Sequence, residues 1–332
     1  MLAIRTSNLE PKILPPVGQA LPHVAGAPLQ IHTGAHLLAL MGGDSTEPGI
    51  SDFGIPLKLL ESPCHASGWI GDQAPRISHP FEHVSLLQTE DLLFGAIRLP
   101  SENIENATRQ AYRLIQKTIQ SNPEFQLIRL WNYFPGINLA DEGIERYRLF
   151  SRGRHDILAS SGYRMSSDLP AASAVGSEEG PLVIHFLAGN GKMTTIENPR
   201  QVSAYRYPRA YGPRSPSFSR AVLYRSDQGR QLFLSGTASI IGHETIAPLD
   251  PERQTRVTLE NLSALLKTAE YPAIHLLGAV ASWVVYIRDP SHIDLIRPLI
   301  AEHLHSDSRI VYLQGDICRK DLMVEIEGTI FC

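Results

Sequence analysis

"CRKDLMVEIEGTIFC" closes the 332-residue chain at positions 318–332, and the reading of this stretch decides the fold. From Leu322 to Phe331 it is rich in β-formers, which predicts a strand. Alternate residues of a strand share a face, so Met323, Glu325, Glu327 and Thr329 point one way. Leu322, Val324, Ile326 and Ile330 point the other way. The two carboxyls then have two readings. On a solvated face both are simply hydrated. On a buried face a carboxyl is costly unless paired or protonated, and desolvation raises its proton affinity into the range of a general acid near neutral pH. Cys318, seven residues before Glu325, stands open between a core thiol and a reactive one.

Working outward, this strand is the last of an ordered series. "QLFLSGTASI" (231–240) reads as a strand and "TRVTLENLSALLKTAE" (255–270) as an amphipathic helix with Leu259, Leu262, Leu265 and Leu266 at helical spacing. "AIHLLGAVASWVVYIRD" (273–289) reads as a long strand. "SHIDLIRPLIAEHL" (291–304) reads as a helix with Ser291 as N-cap and a kink expected at Pro298, and "SRIVYLQGDI" (308–317) as a strand. The same order occurs earlier in 92–100, 102–120, 126–138, 143–160 and 171–189. Aligned so, "LVIHFLAG" lies over "LMVEIEGT" and His185 falls where Glu325 falls. The pattern predicts an internal duplication of a β-α-β-α-β unit, with an N-terminal domain over 1–200, including an extension, and a C-terminal domain over 201–332. In the first ~85 residues "HLLALMGG" and "PLKLLES" read as strands, and 43–54 and 62–82 as loops.

Composition narrows the function classes. A net charge of −4 argues against a nucleic-acid binder. Cys64, Cys318 and Cys332 show neither CxxC pairing nor zinc spacing, which fits a reducing compartment and predicts a cytoplasmic protein. The N-terminus lacks the pattern of a signal peptide, and the most apolar stretch, 273–287 with His275 inside, is too short to span a bilayer. "FLAGNGKMT" lacks phosphate-loop spacing and "IGHET" is not a zinc motif.

Between the repeats, "AYRYPRAYGPRSPSFSRAVLYR" (204–225) carries Arg206, Arg209, Arg214, Arg220 and Arg225 among four tyrosines, with no acid. Pro208, Pro213 and Pro216 predict a stiff, extended loop. Guanidinium forks and phenols suit a small polyanion, ideally a cyclic carboxylate; a single-strand nucleic-acid platform and a plain linker are the competing readings. "WNYFPGIN" (131–138) and "RYRLFSRGR" (146–154) could add a ligand wall or be an ordinary strand end and basic helix face.

These motifs, together with "FLSGTASIIGHET" and the terminal "DICRKDLMVEIEG", resemble the chorismatase family over nearly all of the chain past residue ~80. The C-terminal domain also resembles the RidA (YjgF) fold, which implies α+β units with mixed sheets and helices on one face. The resemblance implies removal of pyruvate from chorismate, with Glu325 protonating the enolpyruvyl methylene. It implies substrate binding by Tyr205, Tyr211, Arg214 and Arg154, and no metal or organic cofactor, since an acid and an anion clamp suffice. A cysteine seven positions before the acid marks the branch that forms 3-hydroxybenzoate, so Cys318 is expected to select the product. A bifunctional branch, which also forms 4-hydroxybenzoate for xanthomonadin-type pigments and ubiquinone, is the nearest in appearance. No iron triad accompanies it.

Two rival readings fit part of the same pattern. A RidA-like imine deaminase would need an arginine where Ile310 stands; Arg309 is one residue off, on the opposite strand face. A non-catalytic aromatic-acid-binding module would keep the arginine-tyrosine strip but need no acid. Monomer and homotrimer are both compatible with a duplicated RidA-like chain.

Overall fold

The computed structural model describes residues 36–41, 55–61, 67–71, 76–227, 229–269, 281–306 and 308–331. In chain order the elements are β1 (His36–Met41), β2 (Lys58–Glu61), β3 (Ser67–Gly71), β4 (Arg76–Phe81), β5 (Val84–Gln88), β6 (Leu92–Leu99), α1 (Ile104–Gln120) and β7 (Gln126–Pro135). A hairpin of β8 (Ala140–Asp141) and β9 (Ile144–Glu145) leads into α2 (Arg146–Ser160), β10 (Ala171–Ser177), β11 (Leu182–Gly189), β12 (Lys192–Ile196) and β13 (Ala221–Ser226). Then follow β14 (Gly229–Ala238), β15 (Ile240–Ile241), β16 (Glu244–Thr245), α3 (Pro251–Thr268), β17 (Ala281–Ile287), α4 (Ile293–His303), β18 (Arg309–Gln314) and β19 (Val324–Phe331).

Two sheets carry the duplication. The first runs β10-β7-β11-β6-β5-β4; the second, from β18 outward, runs β18-β17-β19-β14-β13-β12. Each places the unit's third, second, fourth and first strands in that order, followed by the two strands that precede the unit. In each, the second and third strands pair parallel, and the fourth lies antiparallel between the first and second. The repeat therefore extends to the strands ahead of each unit. β12 already belongs to the second sheet, so the chain crosses between sheets at Gly189–Lys192. The division expected at residue 200 falls between the paired strands β12 and β13. β2 adds a further strand beside β18.

Helices cover one face of each sheet, as the α+β expectation requires. Ile104, Ala111, Tyr112 and Ile115 of α1 and Phe150, Ile157 and Leu158 of α2 bury against Ile97, Leu130, Ile184 and Phe186. Leu259, Leu262 and Leu265 of α3 and Ile296 and Ile300 of α4 bury against Leu232, Trp283, Val324 and Ile326. The uncovered faces meet, with Phe94, Trp131, Tyr133, Val183 and Leu187 opposing Phe233, Val284 and Tyr286. Each such large apolar side chain contributes roughly 1.5–3 kcal/mol when buried, so polar groups in this middle layer must be offset by partners.

Local chemistry sets several boundaries away from their expected places. Asp250 accepts a hydrogen bond from the Arg253 amide and Pro251 opens the first turn, so α3 begins ahead of residue 255. Asp289, not Ser291, caps the turn before α4 by accepting from the Ser291 amide, and Pro298 sits inside that helix. The stretch 62–82 contains β3 and β4; β4 is a sheet edge, which tolerates Pro80. Within 204–225, two short 3-10 turns, Ala204–Arg206 and Arg209–Tyr211, precede the strand starting at Ala221. The expectations for 43–54, for Cys64 and Cys332, and for the 273–280 part of the long strand with His275 lie outside the described residues.

Candidate active site

Both carboxyls of β19 face the middle layer and both are buried, Glu325 at 4% and Glu327 at 2% exposure. Their neighbours divide them. Glu327 accepts from Arg129 Nη2 at 2.6 Å, from Trp131 Nε1 at 3.0 Å and from the Ser173 hydroxyl. All three donors come from the opposite sheet, where Arg129 and Trp131 alternate along β7. Glu325 has no hydrogen bond or ion pair among the described residues. Burial, reinforced by the Glu327 carboxylate, pushes its pKa up to about 8, so it holds its proton at neutral pH.

A β-bulge makes room for this acid. The β14–β19 register shifts between Leu234 and Thr237, which takes Gly236 out of the ladder beside Glu325. The freed Gly236 amide donates across the layer to Ser173 Oγ at 3.0 Å. A Cβ on Gly236 would lie 2.0 Å from Glu325 Oε1, so only glycine fits against the carboxyl here.

Glu325 forms part of the floor of a cavity of about 490 Å³ between the two units, with Ser173, Gly236 and Ala238 around it. One wall comes from α2. Tyr147 and Arg154, seven residues apart, share a helix face, and Arg154 lies over the Phe150 and Phe218 rings at 5.0 and 5.7 Å. Arg154 is 1% exposed, and its Nε and Nη2 have no hydrogen-bond partner. The opposing wall is the inter-repeat loop. Arg220 donates through Nη2 to the Tyr207 hydroxyl at 2.9 Å and to the Val202 carbonyl at 3.1 Å, while its buried Nε is unpartnered. At the rim Arg319 stacks on Tyr211, 4.3 Å from the ring centre, and the Tyr211 hydroxyl meets His243 Nδ1 at 3.1 Å. Cys318 also lines the cavity, half-buried, with its thiol pushed up to about 12 by burial and then by Glu325. It is a thiol, not a thiolate, at physiological pH.

The structure thus brings together Glu325, Cys318, Arg154 and Tyr211 of the expected set, but not Tyr205 or Arg214. Tyr205 packs partly buried against the core of the first unit and under Arg206. Arg214 is half exposed and pairs with Asp156. Tyr207 and Arg220 of the same strip line the cavity instead. His185 lies in the same middle layer, against the Phe94 and Tyr133 rings, with its imidazole pushed down to about 3 by burial. The strand registers align Val183, opposite Tyr133, with Glu325, opposite Tyr286, and so set His185 at the place of Glu327 and not of Glu325; the first unit has no acid at either position.

Comparison with known proteins bears on the family and the fold. Residues 68–188 match the family described as chorismatase FkbO/Hyg5-like, N-terminal. A chorismatase from Streptomyces rapamycinicus is 36% identical over 300 residues, covering 87% of this chain and 89% of that protein. The chain belongs to the chorismatase family. A 3-hydroxybenzoate synthase from Streptomyces hygroscopicus is 39% identical over 243 residues, covering 70% of this chain and 71% of that one. A chorismatase crystal structure superposes with a TM-score of 0.77 at 29% identity, covering 89% of this chain and 92% of that one. The chorismatase fold of this chain is thus the duplicated α+β arrangement, with its cavity between the copies. Among the described residues no helix is long and apolar enough to cross a membrane.

Proposed function

We propose that this chorismatase-family chain converts chorismate to 3-hydroxybenzoate and pyruvate, with Glu325 supplying the proton. One observation carries the reading: a buried, protonated carboxyl without a protein partner faces a cavity whose walls hold unpaired guanidinium N–H groups. An enol ether is a weak carbon base, so its protonation needs an acid that retains its proton until substrate arrives. Transfer of the Glu325 proton to the enolpyruvyl methylene leaves a cation shared between the ether carbon and its oxygen. The Glu325 carboxylate so formed is stabilised by the nearby charges of Arg129 and Arg220. Chorismate carries two carboxylates, and the free N–H groups of Arg154 and Arg220 are the complement for them, with Tyr147, Tyr207 and Tyr211 beside the ring.

3-Hydroxybenzoate and pyruvate together contain all the atoms of chorismate, so this route consumes no water, whereas the dihydroxy-cyclohexadiene acid requires one. Cys318, un-ionised in the wall, shapes the space in which the cation collapses and does not attack carbon. 4-Hydroxybenzoate, which with pyruvate also accounts for every atom of chorismate, is the alternative product implied by the resemblance to the bifunctional branch. A cytoplasmic location fits the free thiol of Cys318.

The test is incubation with chorismate, coupled detection of pyruvate and chromatography of the aromatic acids. Pyruvate and 3-hydroxybenzoate should appear together, and Glu325→Gln should abolish both. Undiminished pyruvate release by Glu325→Gln would refute the assignment. Cys318→Ala should divert product towards the diene acid or 4-hydroxybenzoate, and an unchanged product ratio removes its role as selector.

A further inference from the structure

Two carboxyls two residues apart in one buried layer cannot share a fate, because ionising both would place like charges together in low dielectric. What decides which of them carries the proton is the donor set. Glu327 receives three donated hydrogen bonds, two at Oε2 and one at Oε1, and one of them comes from a guanidinium that is 2% exposed. A neutral carboxyl there would have to donate where Arg129 and Trp131 already point N–H groups at it. Glu327 is also absent from the cavity wall, whereas Ser173, which bonds it, lines the wall. Ser173 Oγ accepts from Arg129 Nη2 and from the Gly236 amide, and Gly236 is the backbone on which the Glu325 carboxyl rests. A continuous chain thus runs from Arg129 and Glu327 through Ser173 and Gly236 to Glu325.

We infer that Glu327, with Arg129, Trp131 and Ser173, is a positioning assembly that keeps the proton of the carboxyl pair on Glu325 and holds that carboxyl at the cavity floor. The inference rests on the reading of Glu325 as the acid, and Glu327 itself touches no substrate. The other charged and titratable groups near Glu325 do not substitute for it. Arg129 itself, from β7, and Arg220, from the inter-repeat loop, act on Glu325 in the opposite direction by favouring its ionisation, so the assembly holds the proton through the Glu327 carboxylate. Tyr133 and Tyr286, from β7 and β17, and Tyr147, from α2, are phenols raised by burial. Cys318, from the loop before β19, stays a thiol. Among the described residues Glu327 is the carboxylate adjoining the acid, and Arg129 donates to it.

The experiment compares pH profiles of kcat and KM for pyruvate release by wild type, Glu327→Gln and the double variant Arg129→Gln/Glu327→Gln. Glu327→Gln removes the anion and leaves the guanidinium facing Glu325. The alkaline limb of kcat/KM, which reports the free enzyme, should move to lower pH by about one unit or more, so that kcat/KM at pH 8 falls about fivefold or more, while KM changes less than about threefold. The double variant leaves no uncompensated charge and should bring the limb most of the way back. An unmoved limb in Glu327→Gln, or a raised KM at unchanged kcat, overturns the inference while leaving Glu325 as the acid. Pyruvate release surviving in Glu325→Gln instead overturns the underlying reading. Should Glu327→Gln fail to fold, the infrared difference between wild type and Glu325→Gln decides. A protonated-carboxyl band lost in Glu325→Gln supports the inference, and the same band persisting in that variant, which places the proton of the pair on Glu327, overturns it.

Discussion

Replacing Glu325 with glutamine should change how stability depends on pH, independently of turnover. In the folded chain the Glu325 proton dissociates at about 8, against an ordinary value of 4.5. Its folded-state pKa is raised, so the favourable linkage is fully present below about pH 4.5 and is lost as pH climbs through 8. Across that window the unfolded chain has released a proton that the folded chain retains. The loss is about 1.4 kcal/mol per pH unit and reaches a ceiling of about 5 kcal/mol over the 3.5 units between the two values. Glutamine has the same shape and no proton to lose, so the variant should lack this slope. Urea unfolding of both proteins from pH 5 to 9 measures it. The stability of Glu325→Gln relative to wild type should rise with pH and level off above about 8. Parallel curves would mean that Glu325 is ionised in the fold, and the account of a protonated acid would fail with them.

Three further outcomes follow from the same cavity. Arg154→Met should raise KM for chorismate by about 10- to 100-fold, the worth of hydrogen bonds to a charged group, at a cost in stability of no more than about 2 kcal/mol, since only its stacking over Phe150 and Phe218 and its contact with Tyr112 are lost; steady-state kinetics with a melting curve checks both. Gly236→Ala forces a methyl to within 2.0 Å of Glu325 Oε1, and should cost about 1–3 kcal/mol in unfolding free energy and at least about tenfold in kcat. Arg214→Ala and Tyr205→Phe should leave KM within about twofold and stability within about 0.5 kcal/mol, because neither side chain lines the cavity; a tenfold rise in KM would place them back in the site.

Much of the architecture was legible along the chain because its signals are local. Period-3.6 leucines mark α3, alternation marks β19, and the order of elements exposes the duplication that the two identical strand orders then display. Boundaries failed where a side chain outside the periodic run did the capping, as at Asp250 and Asp289. β4 was hidden because an edge strand can hold a proline.

The site divides along the same line. The pattern of β19 put Glu325 and Glu327 on one face and could go no further, since hydration and burial look alike in a strand. Which carboxyl is the acid depends on Arg129, Trp131 and Ser173, nearly 200 and 154 positions away, delivered by a second sheet. An alternation of Arg129, Trp131 and Tyr133 was visible as one strand face, but nothing in it names the partner. Likewise the arginine-tyrosine strip announced anion chemistry, while the folded path of the loop put Tyr207 and Arg220 on the cavity and left Tyr205 and Arg214 off it. The sequence alone thus determined the fold class, the chemistry available and the strand that bears it. Only the meeting of the two sheets decided the protonation states, because burial and hydrogen-bond donors, not residue identity, set where a proton resides.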